Sequence, residues 1–281
     1  MTSLLSDKNK NADVVFTPKD QSICEDILQT AARQNDKDKP LSELIVSTAL
    51  RFVGTPYEPQ TLEQGPAEPL VVNLRAFDCS TFIETVAATV LATKSKNENF
   101  ADFMSILERI RYRKGLRDCY ASRLHYFTEW IWDNQRKGFL VDLTPQIGGI
   151  PMKKGIHDIT NHRNEHKQLQ DENVFRKMRN AETICSRRIF HVIPKESWRP
   201  TEEKIENGDI IAIATNRESI DVIHVGFAVL KKKRVYILHA SSNAKGVVLS
   251  DMTVNRYLQQ RSYRTGILVA RLKENSNKNA S

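Results

Sequence analysis

Phe77-Asp78-Cys79-Ser80-Thr81-Phe82-Ile83-Glu84 decides the reading of this chain, because it sets a thiol at the start of a helix. Asp78 is a good N-cap, and Phe82, Ile83, Val86, Val90 and Leu91 recur at helical spacing through Thr93, so the pattern predicts a helix with Cys79 as its first residue. Unpaired N–H groups and the positive end of the helix dipole favour a thiolate there, lowering a pKa of about 8.5 in a free thiol. A buried structural cysteine is the alternative, since free cysteine is among the residues most often found inside.

Three strand-like runs follow in the second half: Asp209–Ala214, Val222–Val229 and Arg234–Ala240. The last two carry His224 and His239 and flank a lysine tip at Lys231, Lys232 and Lys233, which reads as an antiparallel hairpin. An even connecting loop, for instance Lys231-Lys232, puts both histidines on one sheet face; an odd loop separates them. Taken singly, each histidine fits an exposed strand position or a core position with one hydrogen bond. Taken with Cys79, they supply a nucleophile, a base and an orienting group. His224 would accept the thiol proton and return one to a leaving amine, His239 would hold the far ring nitrogen of His224, and the Cys79 N–H would face the developing oxyanion.

In order and motif content, Ala49-Leu50-Arg51-Phe52-Val53-Gly54-Thr55-Pro56-Tyr57, Phe77–Phe82, Gly208-Asp209-Ile210, Ile223-His224-Val225-Gly226 and Leu238-His239-Ala240-Ser241-Ser242 resemble the NlpC-type superfamily of papain-like cell-wall hydrolases. The resemblance covers about residues 40–93 and 200–270. It implies an α+β papain-like domain with a helix-borne cysteine packed on an antiparallel sheet. The longer form, with Ser122–Trp130, looks most like a branch first catalogued without function that contains N-acetylmuramoyl-L-alanine amidases. That likeness implies cleavage between the muramic acid lactyl group and L-alanine through a thioester. The commoner superfamily activity cuts after D-γ-glutamate in the stem peptide, but Glu58-Pro59-Gln60 follows Tyr57 here in place of the Trp-Gly-Gly of many peptidases.

Carried over by position, the resemblance assigns catalysis to Cys79, His224 and His239, and a cleft-lining role to Tyr57. Asp78 and Ser80 serve either as capping and first-turn residues or as substrate contacts; Tyr126 and Ser241 are further candidate substrate contacts. An amphipathic helix over 122–137 would use Leu124, Phe127 and Ile131 as core, leaving His125, Tyr126, Trp130 and Trp132 divided between core and sugar stacking. The expected ligands are muropeptides, and neither metal nor cofactor is expected. Endopeptidase or acyltransferase action with the same groups, and a catalytically silent wall-binding protein, are the alternatives.

The 281 residues and 40% hydrophobic content favour one enlarged domain over two. A polar tail is expected over 1–20, the domain over 21–272 with an irregular basic insertion at about 139–190, and a second polar tail over 273–281. Helices are expected near 21–34, 41–53, 100–113 and 122–137. The insertion reads as a cleft wall or a surface elaboration, with 142–166 placed to select the muramic acid side. Its His157, His162 and His166, with Asp158 and Glu165, invite a metal site, and His162-Arg163-Asn164-Glu165-His166 has an inverted zincin order; the polar surroundings favour a solvated segment.

No apolar run approaches the roughly 18 residues a membrane span needs, and Met1–Lys8 has no secretory apolar core. A periplasmic or exported home is expected from the resemblance, with an export signal upstream. Four cysteines at 24, 79, 119 and 185 are too few for a disulfide scaffold; Cys24 reads as core, and Cys119 and Cys185 could pair. The net charge of +8 fits an anionic wall polymer, whereas no helix-turn-helix, zinc finger or aromatic RNA-binding signature supports nucleic acid.

Overall fold

The structure, a computed structural model, describes residues 14–65 and 67–274. Most of both expected tails lies outside the described residues. The part that is described is ordered earlier than expected: β1 (Val14–Val15) pairs in parallel with β2 (Leu70–Val71), and α1 (Pro18–Arg33) begins at Pro18, where Thr17 and Asp20 form a reciprocal capping box. α2 (Leu41–Arg51) follows and brings Leu44, Ile45 and Ala49 into the core.

α3 (Cys79–Thr93) is the central helix, and every residue from Thr81 to Thr93 is buried. A helix apolar on all sides must be covered on all sides. The sheet covers one side, and α1, α2 and α4 (Phe100–Arg111) cover the others. Its hydroxyls are absorbed within the helix, Thr89 donating to the Thr85 carbonyl and Thr93 to that of Thr89. Its one acid, Glu84, is buried against Arg111 at 2.7 Å.

α5 (Phe127–Arg136) is shorter than the expected 122–137, because Tyr120–Ser122 forms a separate 3₁₀ turn. The expected irregular insertion is instead largely structured. It contains β3 (Leu140–Asp142), α6 (Thr144–Ile147), β4 (Ile150–Lys153), α7 (Asp158–Asn161) and α8 (Glu172–Arg187), and leads into β5 (Ile189–Pro194) and α9 (Trp198–Glu202). α8 was hidden by its charge: Met178, Ala181 and Cys185 keep one apolar stripe in an otherwise polar helix.

The remaining elements are β6 (Ile210–Thr215), β7 (Val222–Lys231), β8 (Arg234–Ser241), β9 (Gly246–Thr253), α10 (Val254–Gln259) and β10 (Arg264–Leu272). Among the described residues an antiparallel eight-stranded sheet runs in the order β4-β5-β10-β6-β7-β8-β9, with β3 on the far end of β10. One face, through Val225, Phe227, Leu238 and Ala240, packs on α3; the other, through Ile211, Ile213, Ala228 and Ile237, packs on Val254 and Leu258 of α10. The fold is thus mixed α/β, with helices on an antiparallel sheet. Among the described residues no helix is long and apolar enough to cross a membrane.

Candidate active site

Cys79 is the first residue of α3, as the sequence predicts. Asp78 accepts from the Thr81 N–H at 2.8 Å, and Thr81 Oγ1 accepts from the Asp78 N–H at 3.0 Å. This reciprocal cap fixes the chain direction just ahead of the thiol. Phe77 and Phe82 bracket it from below, with rings 5.8 Å apart, and Phe82 meets Phe227 of β7 at the same centroid distance of 5.8 Å.

The hairpin tip is Lys232-Lys233, both at positive φ (49° and 63°), with Lys231 paired to Arg234. The loop is therefore even, one residue on from the expected Lys231-Lys232, and its backbone matches the twist of a two-residue turn. Pairing runs from that end to Phe227 and Leu238 and stops there, while β8 continues to Ser241 as the partner of β9. The Ala228 N–H points to the Asp209 carbonyl on the β6 side, so by alternation that of Val225 points towards β8. With no ladder partner there, it comes near enough to the Cys79 sulfur to favour its charged form.

His224, Gly226 and His239 share the sheet face opposite Val225. Gly226 allows close approach, since a Cβ there would fall 2.5 Å from Ile237 Cγ1 and 2.9 Å from His239 Cβ. Across this gap His224 Nε2 is hydrogen-bonded to His239 Nδ1, and the rings meet edge to face at a centroid distance of 4.7 Å. Nδ1 of His224 is thereby left for another partner. Tyr257 of α10 lies 6.0 Å from the His224 ring and 6.2 Å from that of His239, and is near enough to Cys79 for a thiolate to raise its pKa. Thiol, imidazoles and phenol share one locality.

The electrostatics at the cleft run against a resting thiolate. Burial, reinforced by Asp78, pushes the Cys79 thiol up to about 12, against the opposing N–H of Val225 and the Ser80 hydroxyl. A short stretch of helix dipole is outweighed by desolvation. Burial, His239 and Arg264 push His224 down to about 3, and burial and Arg264 push His239 down to about 4. All three shifts favour the neutral forms.

Tyr57 arrives by pairing: Gly54 donates to the Val247 carbonyl, Val247 to that of Thr55, and Tyr57 to that of Lys245, extending the β9 edge to the cleft. Tyr57 is half-buried, and burial, Cys79 and Asp78 raise its pKa. Ser80 is exposed beside the sulfur. The Asp78 carboxylate is occupied by its cap.

Two expected substrate contacts are engaged within the fold. Tyr126 is buried; its hydroxyl donates to Glu182 at 2.7 Å and accepts from the Ile159 N–H at 3.0 Å, so it fastens α8 and α7 to α5. Ser241 is buried too, and its hydroxyl accepts from the Ala244 N–H at 3.2 Å, shaping the β8–β9 turn. Trp130 is core, whereas Trp132 is exposed between Arg136 and Arg188.

The histidines of the insertion do not share a helix face. α7 ends at Asn161, the next residues form 3₁₀ turns, and His166 Nδ1 bonds the Tyr120 hydroxyl at 3.0 Å. Among the described residues no group of three or more His, Cys, Asp or Glu is placed to hold a metal. Cys119 and Cys185 are both free thiols. The insertion touches both loops that lead to the cleft: His157 donates from its backbone to the Ser219 carbonyl ahead of β7, and Gln168 donates to Glu63 and the Gly65 carbonyl after Tyr57.

Tyr257 and Arg264 escaped the sequence reading. Val254 and Leu258 at i, i+4 signal a short helix, but nothing local says that the intervening tyrosine faces two histidines.

The AmiA-like family, described as N-acetylmuramoyl-L-alanine amidase-like, matches residues 47–267, a span that holds all of these groups. An N-acetylmuramoyl-L-alanine amidase from Bacteroides uniformis ATCC 8492 is similar in structure, with a TM-score of 0.78 and 36% identity over 83% of this chain and 99% of that one. A Bacteroides fragilis protein provisionally called a xylanase gives 0.76 and 38% identity, over 80% and 99% of the two chains. A protein from Legionella pneumophila str. Philadelphia 1 shares the fold at 21% identity, with a TM-score of 0.70 over 94% and 97%. No curated protein matches this chain. On the extent of the family match, the chain belongs to the AmiA-like, N-acetylmuramoyl-L-alanine amidase-like family.

Proposed function

We propose that this protein is a cysteine-dependent N-acetylmuramoyl-L-alanine amidase built on a papain-like plan. The observation that carries the reading is the bond between His224 Nε2 and His239 Nδ1, with Tyr257 close to both rings and within reach of the helix-terminal Cys79. If His224 donates in that bond, its Nδ1 carries a lone pair and is a base, while His239 holds the tautomer and ring orientation. Cys79 Sγ attacks the lactyl carbonyl as its proton passes to His224. The Cys79 N–H, unpaired at the helix start, meets the oxyanion, and the proton returns to the L-alanine nitrogen as the C–N bond breaks. Water, activated by the same imidazole, then cleaves the thioester and frees the lactyl carboxylate. A neutral starting pair suits this course, since the charges form together and titrate as a unit.

The substrate, a muropeptide, comes from the likeness to the amidase of known structure, and action outside the cytoplasm goes with a wall substrate. The provisional xylanase name has less support here. Glycoside hydrolysis needs two carboxyl groups flanking one bond, and Asp78, the carboxylate that acts on Cys79, is held in the helix cap. The test is mass analysis of products from a defined disaccharide-peptide. Free sugar and an L-alanine-led peptide are expected; two peptide fragments would identify the endopeptidase instead. Cys79→Ala should abolish turnover while the protein stays folded and still binds, and hydrolysis by that variant would overturn the assignment.

A further inference from the structure

Arg264 is buried, at 7% exposure, yet it forms no ion pair among the described residues. Arg111 and Arg123, the other deeply buried arginines, are each matched to glutamates. Arg264 instead lays its guanidinium 3.7 Å from the centre of the Tyr257 ring and donates to the Tyr257 carbonyl, and its Nε has no hydrogen-bond partner. A β-bulge between Arg264 and Gly266 aims the side chain there. Burying a cation without a counter-ion is costly, and a desolvated ring face offsets part of that cost.

We propose that Arg264 is a positioning residue for the paired imidazoles: it clamps Tyr257 against His224 and His239 and sets an unneutralised positive charge behind them. This rests on the reading of His224 as the base. Tyr257 of α10 faces both rings, Arg264 of β10 acts on both, and Cys79 of α3 and Tyr263 ahead of β10 act on Tyr257. Burial is the main cause that holds both pKa values down, His239 adds to it at His224, and Arg264 acts on both rings in the same direction. His224 therefore remains an unprotonated base in mildly acidic surroundings, where an ordinary imidazole is charged. The same guanidinium holds Tyr257 by stacking on its ring and bonding its carbonyl.

The test is proton NMR titration of the His224 and His239 ring signals in the full chain carrying Cys79→Ala, with and without Arg264→Met. Removal of the charge is expected to raise the titration midpoints of both rings. Arg264→Gln, which keeps a donor for the Tyr257 carbonyl, is a second charge-free variant in case the first does not fold, and Arg264→Lys should restore the wild-type titration. With Cys79 intact, the acid limb of kcat/KM should move by the same amount. An unchanged titration in a folded charge-free variant overturns the proposal whatever the activity. A shifted titration in a protein that proves inactive on muropeptides leaves the role of Arg264 standing and removes the proposed function instead.

Discussion

The cleft and the packing of the insertion against α5 both gather thiols, imidazoles and phenols, and they differ in what those groups are bonded to. In the second cluster Tyr126 spends its hydroxyl on Glu182 and Ile159, Tyr120 on His166, and His125 Nε2 on the Tyr120 carbonyl at 2.8 Å. Burial and Glu129 raise the Cys185 thiol, and burial and Arg123 depress His125 well below its usual value. Around Cys79 the shifts are the same in sign. Perturbed acidity thus fails to separate a site from a core. What separates them is that the cleft thiol, Cys79, is half-buried where Cys185 is buried, and that the cleft imidazoles are bonded to each other where His125 is bonded to a backbone carbonyl.

The sharpest way to break this comparison is to truncate one imidazole in each place. His224→Ala should lower kcat/KM on a disaccharide-peptide by on the order of 10³-fold or more, as loss of a general base does. His125→Ala should leave turnover within a few-fold and lower the thermal midpoint instead. Equal activity losses would erase the distinction.

Glu182→Ala probes the saturated cluster directly. It strands the Tyr126 hydroxyl and the Thr160 N–H, which lies 3.0 Å from the carboxylate. Urea denaturation should show a loss of about 2 to 4 kcal/mol, the cost of leaving buried donors unpaired. A loss under half a kcal/mol would mean that the insertion is not fastened as described.

Acid should act on both clusters at once. Unfolded imidazoles bind protons at about 6.5, whereas folded His224 and His239 resist protonation down to about 3 and 4 and His125 is depressed in the same direction. The unfolded chain then holds more protons throughout that window, so stability is complete above about 6.5 and falls as pH drops through it. Urea midpoints measured between pH 7 and 4 should decline steadily, and less so in a His125→Phe variant.

The smallest effect belongs to the hairpin tip. Lys232 and Lys233 both occupy left-handed backbone that asparagine and glycine adopt with less strain. Lys232→Asn with Lys233→Gly should add about 1 kcal/mol of stability without altering kcat/KM. A loss of stability would place the tip side chains in contacts that outweigh their strain.

Much of the site was legible where the signal is local. The cap at Asp78, the helical recurrence from Phe82 to Leu91 and the alternation around His224 and His239 are short-range patterns, and α3, β7 and β8 follow them. The insertion was misread because Met178, Ala181 and Cys185 are few among many charges, and because β3 and β4 are too short to alternate. Tyr126 was misassigned for a related reason: an aromatic near a putting-together of helices looks the same in sequence whether its hydroxyl faces substrate or Glu182.

The sequence by itself determined that a thiol opens a helix and that two histidines sit on adjoining strands, because helix caps and strand alternation are set by neighbours a few residues apart. Only the tertiary structure decided that β7 and β8 part at Phe227, that Val225 turns its N–H to the sulfur, and that Tyr257 and Arg264 stand behind the imidazoles. Those choices depend on how separate elements pack and on where a bulge falls, and no local pattern encodes the burial that makes the thiol and the imidazoles neutral.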